Sequence, residues 1–401
     1  MKAFGLVLTA IFICQLNGFG AGVPKIFYVS SSAQYGANTD EIGVVSDFDA
    51  SEQDILYSKQ DIKLLNGEYS PQWEMGCDKS GNIVFVTENV AQFGKLKLPK
   101  AYTVVSYGNI EDGLTSAVAY ETPKKSGTHF IKAPVFTSDG KSIIYYARFI
   151  YQDFAYKFDL ATKKFSVAAE NKFPKILKAS KGIMNWCVNP EGTKAVLTYI
   201  IENGTGHAVY LLDFSKPKDL IKLADMPDAG DFRPFWAGDK VIYYATKEKN
   251  NNKLTSLMMV DTKGGKPEKI FDFKKEVPGT GENLWHFWPH YPVYSEALNA
   301  VFVQDVTKYG NVEISDIVMI DLESGDSEIV VEDSAGLFDV SSDGRYLLCS
   351  VLDGDPSEKK PWAFTAEKPG VIAVYDFKKD KLITIALDGI VNFNYLGFVE
   401  E

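Results

Sequence analysis

Chemically versatile side chains are scarce in this 401-residue sequence: it has four histidines, three arginines and four cysteines. Beyond the first 22 residues no apolar run approaches the ~20 residues that a membrane-spanning helix needs, which excludes a helical span there. Positive charge is in deficit, and the net charge of −11 argues against a nucleic-acid backbone or an anionic membrane surface as the main partner. Apolar patterns of helical period are almost missing, which excludes a helical or mixed fold. There is no Gly-x-Ser-x-Gly nucleophile turn, and with it goes the usual strand-to-helix serine hydrolase site.

The N-terminus has one early charge, Lys2, then an apolar run over residues 3–16 and small residues up to Gly22. That layout is expected of a signal peptide over 1–22, leaving a mature domain over 23–401 that is exported to a periplasm or the extracellular space. Three cysteines then remain, Cys77, Cys187 and Cys349, each in or beside an apolar run. An odd count implies no disulfide framework, and buried inert thiols are expected.

What fills the chain is short runs of β-branched and aromatic residues punctuated by Asp, Gly, Asn and Ser. Over residues 134–170 these predict four strands at 135–138, 142–149, 154–159 and 165–169, with a turn at Asp139-Gly140 and another after Asp159. The same order recurs at Ser80-Gly81, Glu191-Gly192, Gly238-Asp239, Leu298-Asn299 and Asp343-Gly344. From first to second turn marker, Asp139 to Asp159, Glu191 to Asp213, Asp239 to Asp261 and Asn299 to Asp321 are 20, 22, 22 and 22 residues apart. A fixed internal period is the signature of a repeat architecture. Glycine supplies the positive φ that a tight hairpin needs, and the Asp ending each third strand can accept from its turn's own N–H groups.

These repeats predict an all-β fold, a single β-propeller of about seven four-stranded blades. A lone strand at 391–398 and three at 26–30, 41–46 and 54–58 would complete one blade from both termini and close the ring. Segments such as Thr137-Ser138-Asp139-Gly140-Lys141-Ser142-Ile143 and Ser341-Ser342-Asp343-Gly344-Arg345-Tyr346-Leu347 resemble the WD40-like repeats of TolB-like propellers. The resemblance covers nearly the whole mature chain. It implies a fold shared by binding proteins, by some carbohydrate-active enzymes and by the non-catalytic part of prolyl oligopeptidases.

In such a fold the tight turns share one end, and the connections expected at 31–40, 89–101, 123–132, 171–183, 225–232, 246–254, 273–287 and 353–370 gather at the other. Functional residues are expected there, where loop length is free to vary. His129, Arg233, Trp285, His286 and His290 sit just before or at the start of first strands, and Arg148 closes a second strand. His129, His286 and His290 are candidate metal ligands, because imidazoles with an open position make a Lewis-acid site; hydrogen bonding within the loops is the alternative. Arg148 and Arg233 could fork onto a carboxylate ligand or pair internally with Asp153 or Asp231. Trp285 and Trp362 could form a stacking platform, whereas Trp73, Trp186 and Trp236, in first strands, should pack between blades.

The expected function is a binding module for a protein or a carbohydrate polymer, which requires no cofactor. The rival is a lyase or hydrolase that uses a divalent metal on an acidic polysaccharide. It requires His129 and His286 to converge near Arg233.

Overall fold

The computed structural model describes residues 23–31, 41–46, 48, 53–57, 75–93, 96–121, 129–149, 152–170, 183–200, 207–216, 219–226, 234–246, 253–278, 292–308, 314–352, 370–385, 387 and 392–400. The expected signal peptide lies outside them. Among the described residues every regular element is a strand, and the strands form six antiparallel sheets, none closed on itself. No helix among them is long and apolar enough to cross a membrane.

The first sheet joins the two ends of the chain. Strand β27 (Asn392–Val399) pairs with β1 (Lys25–Ser31), which pairs with β2 (Glu41–Val45) and then β3 (Gln53–Tyr57). The β1–β27 register sets Ile26 opposite Phe398 and Tyr28 opposite Leu396. The second sheet is β4 (Met75–Cys77), β5 (Asn82–Phe93), β6 (Leu96–Asn109) and β7 (Gly113–Glu121). The third is β8 (His129–Phe136), β9 (Ser142–Phe149), β10 (Gln152–Asp159) and β11 (Lys164–Glu170), within a residue or two of expectation except that β8 starts earlier. The fourth is β12 (Ile183–Val188), β13 (Lys194–Ile200), β14 (His207–Asp213) and β15 (Ile221–Met226). The fifth is β16 (Phe235–Ala237), β17 (Lys240–Thr246), β18 (Lys253–Asp261) and β19 (Glu268–Pro278).

The sixth sheet has seven strands: β20 (Val293–Ser295), β21 (Ala300–Lys308), β22 (Ile314–Asp321), β23 (Ser327–Val340), β24 (Tyr346–Leu352), β25 (Gly370–Asp376) and β26 (Lys381–Ile385). It is two meanders fused through β23. The first part of β23 pairs with β22 and the last part with β24, and Ser334 belongs to both ladders. Asp333 beside it has φ 52°, a left-handed corner in place of a connecting loop.

Among the described residues the inner strands are apolar on both faces, and neighbouring sheets pack through them. Ile26 and Tyr28 pack with Leu348, Ile372 and Val374, while Phe27 and Val29, pointing the other way, pack with Ile83 and Ile110. Val84 and Val105 meet Ile143 and Phe158, and Ile144 meets Trp186 and Leu197. One continuous cluster runs from Val196 and Leu211 through Val241 and Leu257 to Val301 and Val318, and Phe302 meets Leu347 and Ala373 within the sixth sheet. Trp186 is buried and stacked on Phe214, and Trp236 Nε1 donates to Cys187 O at 3.0 Å, so both serve packing as expected. Trp73 lies outside the described residues.

The turns obey the repeat. Gly81, Gly140, Gly192, Gly238 and Gly344 all have positive φ, and Asn299 takes the same conformation in the turn between β20 and β21. At Gly192 a Cβ would fall 2.4 Å from Thr137 Cγ2, because the turn seats on the preceding sheet. Asp159, Asp213, Asp261, Asp321 and Asp376 each accept from N–H groups of their own turns, as at Thr162 N (2.7 Å) and Ser215 N (2.8 Å).

Beyond the early start of β8, which shortens the expected connection at 123–132, two more connections differ from expectation. Residues 89–101 mostly continue β5 and β6, a hairpin closed at Phe93↔Leu96 that extends past the last β6–β7 pair, Tyr102↔Glu121. Residues 273–278 belong to β19, which shortens the expected connection there. With these corrections the longest gaps between strands, 58–74, 171–182, 279–292 and 353–369, all fall at one end of the sheets. The turns at the other end span at most seven residues.

Candidate functional site

Two residues of the expected site are among those described. His129 is the first residue of β8 and Arg148 the last but one of β9, both at the end with the long connections. Their register is Phe130↔Arg148 and His129↔Phe149, so the two occupy neighbouring steps of one ladder. Arg233, Trp285, Trp362, His286 and His290 lie outside the described residues, and so does the expected convergence of His129 with His286. Among the described residues no three His, Cys, Asp or Glu side chains group as metal ligands.

A denser polar cluster, missed by sequence reasoning, sits at the opposite end, where three sheets meet. Lys79, in the β4–β5 turn, donates to Asp339 Oδ2 at 2.6 Å and to Val340 O at 2.7 Å, and lies 3.8 Å from Glu400 Oε1. Asp339 also accepts the Phe398 N–H at 2.8 Å, and Glu400 accepts the Ser342 N–H at 2.8 Å. Glu400 N donates to Lys79 O at 2.7 Å. Phe398 adds its ring 5.4 Å from the ammonium. Two hydrogen bonds and a longer ion pair hold the lysine against two other sheets, so it works as a clamp. The only sequence signal was a Lys beside a repeat turn, which many surface lysines share.

Three more potentially reactive described residues, Cys77, Cys349 and Arg345, are tied down. Burial pushes the Cys77 thiol far up, with Asp78 and Asp339 adding to it, and burial lifts Cys349 to about 12. Neither is a thiolate near neutral pH, in line with the expected inert role. Arg345, the third arginine, forks onto Asp376 with Nη2 3.0 Å from Oδ2 and lies over the Tyr346 ring at 4.6 Å. The hydrogen bond it donates to Asp376 raises the guanidinium further, so this arginine is committed to its own sheet.

No family model matches the chain, and no curated protein matches it either. Solved structures do resemble it. Puromycin hydrolase aligns at TM-score 0.55 and 13% identity over 92% of this chain and 53% of that one, so this chain spans about half of the hydrolase. Oligogalacturonate lyase from Vibrio parahaemolyticus aligns at TM-score 0.51 and 13% identity, over 93% of this chain and 89% of that one. The solved structures that resemble this all-β chain are β-propellers. The fold is a β-propeller. TolB from Acinetobacter baumannii aligns over 94% of this chain and 83% of its own at TM-score 0.44 and 14% identity. At such identities the likeness bears on the propeller's fold and leaves its activity to its own residues.

Proposed function

We propose that this chain is an exported, seven-bladed propeller closed by its own termini, and that it works as a binding module for a protein or a carbohydrate polymer. The recognition surface is the end that carries the long connections. The observation behind this reading is the segregation of gaps 58–74, 171–182, 279–292 and 353–369 to one end, opposite turns locked by their own carboxylates. Loops that vary in length on a rigid scaffold are where recognition residues are usually placed.

Three features support closure. β27 and β1 share a sheet, Lys79 links three sheets, and the apolar interfaces, followed from sheet to sheet, lead back to the sheet that holds both termini. Counting the fused sixth sheet as two gives seven blades.

The metal-dependent reading keeps one specific support, the placement of His129 and Arg148 on adjacent strands at the functional end. The structural neighbour named oligogalacturonate lyase supplies the acidic-sugar substrate to try. The test is metal content by mass spectrometry on the untagged protein, with turnover of oligogalacturonate measured alongside. A binding module carries no stoichiometric metal and releases no unsaturated product. Near-stoichiometric metal, lost together with turnover in a His129→Ala/His286→Ala variant, overturns it.

A further inference from the structure

Most described carboxylates with shifted titration are held below the ordinary carboxylate range by donors in their turns, as at Asp139, Asp159, Asp213 and Asp321. Asp305 in β21 is built the other way. Its side chain is fully buried, and Oδ2 has no hydrogen-bond donor among the described residues. Oδ1 accepts the Lys274 N–H of β19, in the neighbouring blade, at 3.0 Å. The Lys274 ammonium stands 3.7 Å from Asp305 Oδ2 and 3.2 Å from Asp316 Oδ2, and Asp316 is the direct cross-strand partner of Asp305 on β22.

Lys274 from β19 and Asp316 from β22 are the charged groups that face Asp305 among the described residues. One ammonium thus serves two carboxylates, and it is half exposed while they are buried. The site has one negative charge too many. A surplus charge without solvent costs more than a neutral acid in the same place. Val303 and Val318, which join the apolar cluster between the two blades, flank the triad in sequence.

We propose that Asp305, Asp316 and Lys274 form a pH-sensitive fastener between two blades, closed when Asp305 carries a proton taken from solvent and strained when it does not. Burial, with Asp316 adding to it, lifts the Asp305 carboxyl above its ordinary value, against the opposing pull of Lys274. For a carboxyl raised on folding, the native state binds more protons than the unfolded chain between the two values. Stability is therefore fullest below the ordinary carboxylate value and falls as pH rises to the raised one.

The experiment is urea unfolding of the full chain across acid to neutral pH, comparing the parent with Asp305→Asn and Asp316→Asn. The parent should lose stability relative to Asp305→Asn as pH rises. The ratio of their unfolding constants should grow about tenfold for each unit by which Asp305 stands above its ordinary value. Asp316→Asn leaves one ammonium facing one carboxylate, so the excess loss should shrink, and this variant carries the test if Asp305→Asn does not fold. A ratio constant with pH, a ratio of opposite slope, or an unchanged slope in Asp316→Asn overturns the proposal.

Discussion

Gly140 and Gly192 have nearly the same φ, 64° and 65°, yet no described residue lies within 4 Å of a Cβ at the first and Thr137 Cγ2 lies 2.4 Å from one at the second. Gly140→Ala should cost roughly 1–2 kcal/mol, the left-handed penalty alone. Gly192→Ala should cost more, because the turn must lift off the preceding blade; urea unfolding of the two variants side by side measures the difference. The turn carboxylates give a second expectation. Asp159 and Asp321 are held low by the N–H groups of Thr162 and Ser324, and Asp213 by the Ser215 hydroxyl. A carboxylate lowered on folding adds stability that is present above its ordinary value and lost as pH falls through the lowered one. Replacing all three with Asn should flatten the acid limb of a stability profile, whereas Asp305→Asn acts above the ordinary carboxylate value. These turn residues were legible in the sequence because an Asp, Asn or Gly in a turn follows local rules. Asp305 was not, because an acid in a strand shows neither its burial nor its partners until the neighbouring blade is in place.

At the scale of elements, β27 carries the largest consequence. It covers one edge of β1, buries Leu396, Phe398 and Val399, and supplies the N–H that Asp339 accepts. A chain ending at residue 391 should therefore expose β1 as an unpaired apolar edge, lose cooperative unfolding and aggregate. Near-parent urea unfolding of that chain would show that β27 is an accessory. Strand positions such as β9 and the pairing of the two termini were readable from alternation and turn markers. Two elements were not. The long β5–β6 hairpin escaped because register shifts at Thr87/Val90 and Val90/Gln92 break its alternation, though Gly94 between Phe93 and Leu96 was a usable turn signal. The corner in β23 escaped because a non-glycine residue, Asp333, takes the left-handed conformation there.

At the scale of the molecule, the expected site was only partly legible. His129 and Arg148 lie at the expected end because strand order decides that much. Their convergence with residues of other blades depends on ring geometry and on long connections, which local pattern does not encode. The functional reading rests on that ring, since only a closed propeller gathers its long connections around one channel mouth. Its most direct test is a cysteine pair at Lys25 and Val399, register partners at the meeting of the two termini. Under oxidation the closed ring predicts an intramolecular disulfide that makes the chain covalently circular from 25 to 399 and raises its urea midpoint, with a Lys25→Cys/Gly397→Cys control crosslinking less. Failure to crosslink, or crosslinking only between molecules, would contradict closure by the chain's own termini.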